Sequence, residues 1–249
     1  MSDAHTIVLA AGVTRIAVIS DVHANLPALQ AAMAAIGQVA ADAAVVCAGD
    51  IVGYYTEPNE VCELLRERAV PCIRGNHDAY VLGLLPYPAQ REAKYRVVWT
   101  RDRLSDENMR WLAALPTQIQ VEVAGSVAWS ELQVRHASCI DEETYLYPDT
   151  AITDAWAGNE RVLVLGHTHH AMVREARPGR LIVNPGSVGQ PRDRQPGAAY
   201  AIVDAVHGSV LHRRAAYDVQ RYQQRLLEAG IAEDMVALLS RTTSAEAAR

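Results

Sequence analysis

The stretch Ile16-Ala17-Val18-Ile19-Ser20-Asp21-Val22-His23-Ala24-Asn25 runs from a continuous apolar segment straight into a cluster of ligand-type side chains. Four apolar residues without polar alternation read as a strand covered on both faces. In an extended segment Asp21 and His23 point the same way, because side chains alternate with period two. A carboxylate and an imidazole on one side make half of a divalent metal site.

The same arrangement recurs outward along the chain. Apolar, β-branched runs are predicted as strands at Ile16–Ser20, Ala44–Cys47, Val70–Ile73, Leu132–Arg135, Val162–Leu165, Leu181–Val183 and Ala199–Val203. Gly49-Asp50 follows the second run and Arg74-Gly75-Asn76-His77-Asp78 the third. His136 follows the fourth, and Gly166-His167-Thr168-His169-His170 the fifth. By the same period-two argument His167 and His169 share a face and His170 points away. The Asn76 amide oxygen adds a donor without charge, and His77 beside it suits a hydrogen-bond donor or general acid. Open α/β sheets place their ligands at such strand ends. At least seven ligands exceed one metal and fit two. A mixed N/O set suits Mn, Fe, Co, Ni or Zn better than Ca or Mg, which prefer all-oxygen shells.

Between the first two strands, Pro27 to Val39 carries Leu29, Met33 and Ile36 at helical spacing, with Pro27 in the first turn. Glu60–Arg68 is a second helix, so strands and helices alternate as βαβ units. From Tyr80 to Leu115 the pattern changes. Pro86 and Pro88 break the chain, and helices are expected over Arg91–Arg103 and Ser105–Ala114. This excursion, with Tyr95, Trp99 and Arg101, either roofs the site or packs as an amphipathic helix on the body. Strands resume at Ile119–Val123 and Val127–Leu132. A helix over Asp218–Leu239 is interrupted at Gly230, and Thr242–Arg249 frays. The expected organisation is one domain over residues 1–249, with the 80–115 excursion and a 242–249 tail.

Composition sets the limits. Of 249 residues 50% are apolar, and 23 basic against 29 acidic side chains leave a formal charge of −6. Disorder is excluded by the first figure, and a basic binder of long nucleic acids by the second. The four cysteines form no CxxC pair and read as free thiols of a reducing compartment. Ile7–Val13 is preceded by Asp3 where a signal peptide carries Lys or Arg, and no apolar run approaches the ~20 residues of a membrane span. A cytoplasmic protein without membrane contact is expected.

Asp21-x-His23, Gly49-Asp50, Gly75-Asn76-His77-Asp78, His136 and Gly166-His167-x-His169 resemble the calcineurin-like metallophosphoesterase superfamily in order and spacing. Ser20–Leu29, Gly49–Tyr54, Arg74–Asp78 and Asn184–Asp193 are similar to its small bacterial phosphodiesterase branch. The resemblance covers roughly Arg15 to Asp204. It implies an α/β (α+β-like) fold, a four-layer α-β-β-α sandwich of two packed mixed sheets. It further implies that Asp21, His23, Asp50 and His169 hold one metal, and Asp50, Asn76, His136 and His167 a second. Asp50 would bridge, and His77 would be the acid or phosphate donor. The implied reaction is attack of a metal-bridged hydroxide on the phosphorus of a small or nucleotide-like phosphodiester or monoester. Arg74, Arg192, Arg194 and Tyr55 are candidate substrate contacts, with Tyr55 narrowing the mouth where the branch commonly has Gly. Asn184–Gly189 either supports the site through backbone N–H groups or is a plain turn. His136 is followed by Ala137-Ser138-Cys139 and His169 by His170-Ala171, both departures from the family pattern. Ile51-Val52-Gly53-Tyr54 replaces the Arg-Gly of protein phosphatases, against a protein or dinucleoside polyphosphate phosphatase. A non-catalytic scaffold would have eroded the set, typically at His77, which is present. A homo-oligomer is compatible with the sequence.

Overall fold

Ile16 and Val18 point to one side of their strand and Ala17 and Ile19 to the other, and both sides are buried. They enter different cores, which is why the run is continuously apolar. The computed structural model describes residues 4–125, 127–153, 156 and 160–243. In chain order, β1 (Ala4–Val8) and β2 (Arg15–Ile19) precede α1 (Leu26–Val39), β3 (Ala44–Cys47), α2 (Pro58–Glu67) and α3 (Asn76–Leu82). The short helices α4 (Glu92–Tyr95), α5 (Val97–Arg101) and α6 (Asp106–Ala113) come next. Then follow β4 (Gln118–Glu122), β5 (Glu131–Arg135), β6 (Val162–Val164), β7 (Met172–Arg177), β8 (Arg180–Asn184), β9 (Ala198–Asp204) and β10 (Ser209–Ala215). Helices α7 (Val219–Glu228) and α8 (Glu233–Ala237) complete the fold.

The strands form two mixed sheets, ordered β1-β4-β5-β6-β8-β7 and β10-β9-β2-β3. Ile16, Val18, Val46 and Val203 from the smaller sheet meet Val121, Leu132, Val134 and Val164 from the larger one. Each such side chain removed from water contributes about 1.5–3 kcal/mol. On its other face, the small sheet carries a helical layer. Asn25 caps α1 by accepting from Ala28 N at 3.1 Å, and α1 buries Ala28, Leu29, Ala32 and Ile36 on one face. Leu65 of α2 and Leu112 of α6 enter the same core. The outer face of the large sheet, through Leu163 and Ile182, is covered by Leu146 and Trp156 from the β5–β6 connection.

Several expectations need correction. Val70–Ile73 forms only a single bridge, Cys47 to Cys72, beside β3; Pro71 has no N–H to extend a ladder. Val127–Leu132 is a strand only from Glu131. The helix expected over Arg91–Arg103 breaks at Arg96, whose φ of 55° puts it in the left-handed region. Strands β1, β7 and β10 escaped notice because they are half-polar: β10 alternates exposed and covered residues from Ser209 to Arg214. The C-terminal helix does divide at Gly230, where φ is 76°. Residues 244–249 of the expected tail lie outside the described residues. Among the described residues, no helix is long and apolar enough to cross a membrane.

Candidate metal centre

Parallel pairing of β2 with β3 registers Ile19 against Cys47, and the ladder continues past the strands. Asp21 N donates to Gly49 O at 2.9 Å, His23 N to Asp50 O at 3.0 Å and Ala24 N to Ile51 O at 2.9 Å. Asp21 and Asp50 are thereby fixed side by side at one sheet edge. The other sheet delivers His136 after β5, and His167 and His169 after β6; Asn76 opens α3. Asp21, His23, Asp50, His136, His167, His169 and Asn76 are all buried.

The backbone at these positions is not extended. Asp21, His23, Asp50, His167 and His169 have φ of 53, 50, 53, 67 and 61°. Such left-handed non-glycine residues cost on the order of 1–3 kcal/mol each and cluster at functional sites. Asp21 and His23 do come together, and His167 and His169 join two adjoining groups, but on curled rather than extended backbone. The loops curl, and it is the curl that turns both side chains inward. Glycines make the close approach possible. A Cβ at Gly75 would collide with the Asp50 carboxylate and amide, and one at Gly166 with the Ser20 hydroxyl and Asp21.

Two donor groups share Asp50. Asp21, His23, Asp50 and His169 form one, and Asp50, His136 and His167 the other, with donor atoms within 4.8 Å of one another. Asp50 Oδ2 lies 3.7 Å from His23 Nε2 and 3.2 Å from His136 Nε2. Asp21 Oδ1 lies 3.3 Å from His169 Nε2. The Asn76 Oδ1 atom is 3.1 Å from His136 Nε2 and 2.9 Å from His167 Nδ1, which adds it to the second group.

Each imidazole uses its far nitrogen on a backbone carbonyl. His23 Nδ1 donates to Val52 O at 3.2 Å, His136 Nδ1 to Ala48 O at 2.7 Å and His169 Nδ1 to Gln190 O at 2.6 Å. His167 Nε2 donates to Glu143 O at 3.1 Å. In the neutral ring this leaves the nitrogen facing the site without a proton. His23 Nε2 and His169 Nε2 then stand 3.1 Å apart, lone pair to lone pair. Two acceptors at that distance cannot satisfy each other, whereas one cation with bonds of about 2.0–2.2 Å satisfies both. The donor set fits divalent metal.

Charge in the metal-free site follows from burial. Burial drives His23 and His169 well below the ordinary imidazole value, so the facing pair is neutral. Burial pushes Asp21 up to about 7, opposed by His136 and reinforced by Asp50. Burial also opposes charge on Asp50, but His136 and His77 hold its carboxyl well below the usual range. His136, with burial against it, is raised to about 10 by Asp50. A proton on His136 thus does part of what a cation would do.

The sign of the pH effect follows. The metal-free folded chain keeps protons on Asp21 and His136 that the unfolded chain sheds near their ordinary values of 3.8 and 6.5. Both contributions to stability are present at low pH. They are lost as pH rises, through about 7 for Asp21 and about 10 for His136. Metal must expel the same protons. The increase in Tm on adding Mn²⁺ should therefore grow between about pH 5 and about pH 8. A shift that shrinks over that range in thermal melts would contradict this.

Supporting residues were less visible in the sequence. Asp78 is buried and accepts from Ile51 N, Val52 N and Gly75 N at 3.0, 3.0 and 2.9 Å, tying the Asp50 loop to α3. Burial, then the charge of Asp50, pushes it up to about 7. The Asn184–Gly189 turn is not plain: Val188 N and Gly189 N donate to Ser20 O and Asp21 O, both at 2.9 Å. Asn184 Nδ2 donates to Gly166 O at 2.7 Å, holding the His167 loop.

His77 belongs to neither donor group. Its N–H donates to Asp50 Oδ1 at 2.8 Å, and its ring lies 4.6 Å from those of Tyr54 and Tyr95. Among the described residues its Nδ1 has no hydrogen-bond partner. Burial lowers it to about 4, against the pull of Asp50.

The candidate substrate contacts separate. Arg192 faces a cleft of about 280 Å³ beside the centre, where its Nη2 donates to Tyr54 OH at 3.1 Å. Tyr55 does not narrow the mouth. It is fully buried in the core, donating to Met235 O at 3.3 Å, because the turn at Gly53 and Tyr54 (φ 90 and 61°) presents Tyr54 instead. Arg74 lies behind His136 in a separate cavity, its Nη1 donating to Leu115 O at 3.3 Å. Arg194 is exposed.

Two mixed sheets carry a buried carboxylate–imidazole–amide cluster at one end, the fold and donor set of a metal-dependent hydrolase class that comparison with known proteins identifies. The model of the calcineurin-like phosphoesterase superfamily domain matches residues 14–208. The chain is 33% identical over 230 residues to the uncharacterized protein MJ0912 of Methanocaldococcus jannaschii, covering 86% of this chain and 92% of that protein. The crystal structure of a metallophosphoesterase from Sphaerobacter thermophilus is similar at a TM-score of 0.73 and 31% identity, over 92% of this chain and 99% of that one. The hypothetical protein PH1004 of Pyrococcus horikoshii shares the fold, with a TM-score of 0.79 at 22% identity over 96% of this chain and 100% of its own. The chain belongs to the calcineurin-like phosphoesterase superfamily. That membership places it among the hydrolases of phosphate esters, and its Asp and His groups could hold a divalent metal.

Proposed function

We propose that the chain hydrolyses a phosphodiester, or a phosphomonoester, of a small or nucleotide-like molecule with two divalent transition-metal ions, Mn²⁺ foremost. The observation that carries this reading is the facing pair His23 Nε2 and His169 Nε2, with Asp50 Oδ2 shared between that group and the His136 group. Bound at these donors, the two ions would supply a water of lowered pKa and positive charge for the phosphoryl oxygens. Asp21, His23, Asp50 and His169 would hold one ion, and Asp50, Asn76, His136 and His167 the other. Asp50 fixes the spacing of the two groups, and its second oxygen holds the backbone of His77. His77, kept neutral by burial, donates an N–H to a phosphoryl oxygen or the leaving oxygen, as a neutral imidazole can. That replaces the protonated acid with a neutral donor.

Metal-stripped protein should take up Mn²⁺ and, with it, hydrolyse bis(p-nitrophenyl) phosphate. Stripped protein should be inactive. Absence of turnover in the reloaded protein would contradict the reading.

A further inference from the structure

The cleft beside the metal centre has a composition the chain as a whole does not. In a protein of formal charge −6, Arg91 and Arg192 line it and no carboxylate does among the described residues. Tyrosines form its walls. Tyr54 and Tyr95 lie on the His77 side, their ring centroids 5.5 Å apart at 71°. On the other side Tyr145 lies 3.9 Å from the His167 ring and stacks on Tyr147 at 5.6 Å and 7°. Tyr145 and Tyr147 keep 40% and 39% of their surface exposed, although aromatic faces of that size are ordinarily covered. Both line the cleft, with Tyr145 between the His167 ring and Tyr147.

Resting on the phosphoesterase reading, we propose that this cleft is a nucleobase slot: the substrate is a nucleoside phosphate ester whose base stacks on Tyr147, with Tyr145 behind it, while its phosphoryl group reaches the metals. Aromatic faces stack any base, and cations beside them favour an anion. The polar edge of a heteroaromatic base suits a cleft that is also lined by Gln190 and Arg192 better than a hydrocarbon ring does. The volume, about 280 Å³, is at the small end for ligand sites of about 300–1,000 Å³. One base fits that space and an oligonucleotide does not. The −6 charge gives the longer polymer no track beyond it.

The test compares three diesters that release the same p-nitrophenol from Mn²⁺-loaded protein: the thymidine 5′-phosphate, phenyl phosphate and ethyl phosphate esters. Wild type should show a kcat/KM for the thymidine ester about tenfold or more above that for the ethyl ester, the scale of one stacked base. It should exceed the phenyl ester as well. In Tyr147→Ala the thymidine-to-ethyl ratio should fall toward one, and Tyr147→Phe should keep most of it. Ratios near one in wild type, a phenyl ester as good as the thymidine ester, or a ratio unchanged in Tyr147→Ala would each overturn the slot, with ethyl ester turnover still supporting the phosphoesterase reading. No turnover of any ester overturns that reading, and the slot with it.

Discussion

Replacing Asp50 by Asn is expected to lower Mn²⁺-dependent diester hydrolysis by about 10³-fold or more, corresponding to a loss of about 4 kcal/mol of charge stabilisation. The shared oxygen Oδ2 faces His23 Nε2 at 3.7 Å and His136 Nε2 at 3.2 Å. An amide NH₂ at that position would hydrogen-bond to the bare imidazole nitrogens and fill the place of a cation. The fold should survive, because the Asn oxygen can still accept from His77 N as Oδ1 does at 2.8 Å. Two opposed effects act on metal-free stability: Asn relieves Asp21 and Asp78, whose carboxyls Asp50 helps to raise, and it removes the partner that raises His136. A folded metal-free variant, together with collapsed turnover, is the expected pair of results. Turnover equal to wild type would remove Asp50 from the centre.

His77→Ala should lower kcat by about 10²–10³-fold, the usual contribution of one positioned hydrogen-bond donor to developing charge, with Mn²⁺ still bound. The ring is packed against His23, Tyr54 and Tyr95 at 5.0, 4.6 and 4.6 Å between centroids. Truncation therefore also opens a cavity and weakens the fold. His77→Leu separates the two effects by keeping more volume while removing the hydrogen-bond donor. It should melt closer to wild type than the Ala variant yet recover little of the rate. A Leu variant within twofold of wild-type kcat would leave His77 with a packing role only.

Asp21, His23, Asp50, His136, His167 and His169 were legible because each sits just past a run that reads as a strand. The chain cannot bury Ile16–Ile19 on both faces and continue burying Asp21 and His23 without giving them a partner. Asn76 and His77 read less clearly, since the preceding Val70–Ile73 is not a full strand and the two residues open a helix. What stayed hidden depends on backbone direction. Tyr54 and Tyr55 are indistinguishable in composition, and only the left-handed turn at Gly53 and Tyr54 decides which reaches the cleft and which the core. Arg74 and Arg192 both lie in loops, but one turns behind His136 and the other toward Tyr54. Asp78 stands in the motif, but its role was not legible, because its partners are backbone amides brought in from a loop 26 and 27 positions earlier.

The most direct measurement is calorimetric titration of the metal-stripped wild-type chain with Mn²⁺, read as ions bound per chain. Two ions per chain, with the uptake reduced in Asp50→Asn, is the result that follows from two donor groups sharing one carboxylate. No binding, or an uptake unchanged in Asp50→Asn, would contradict it.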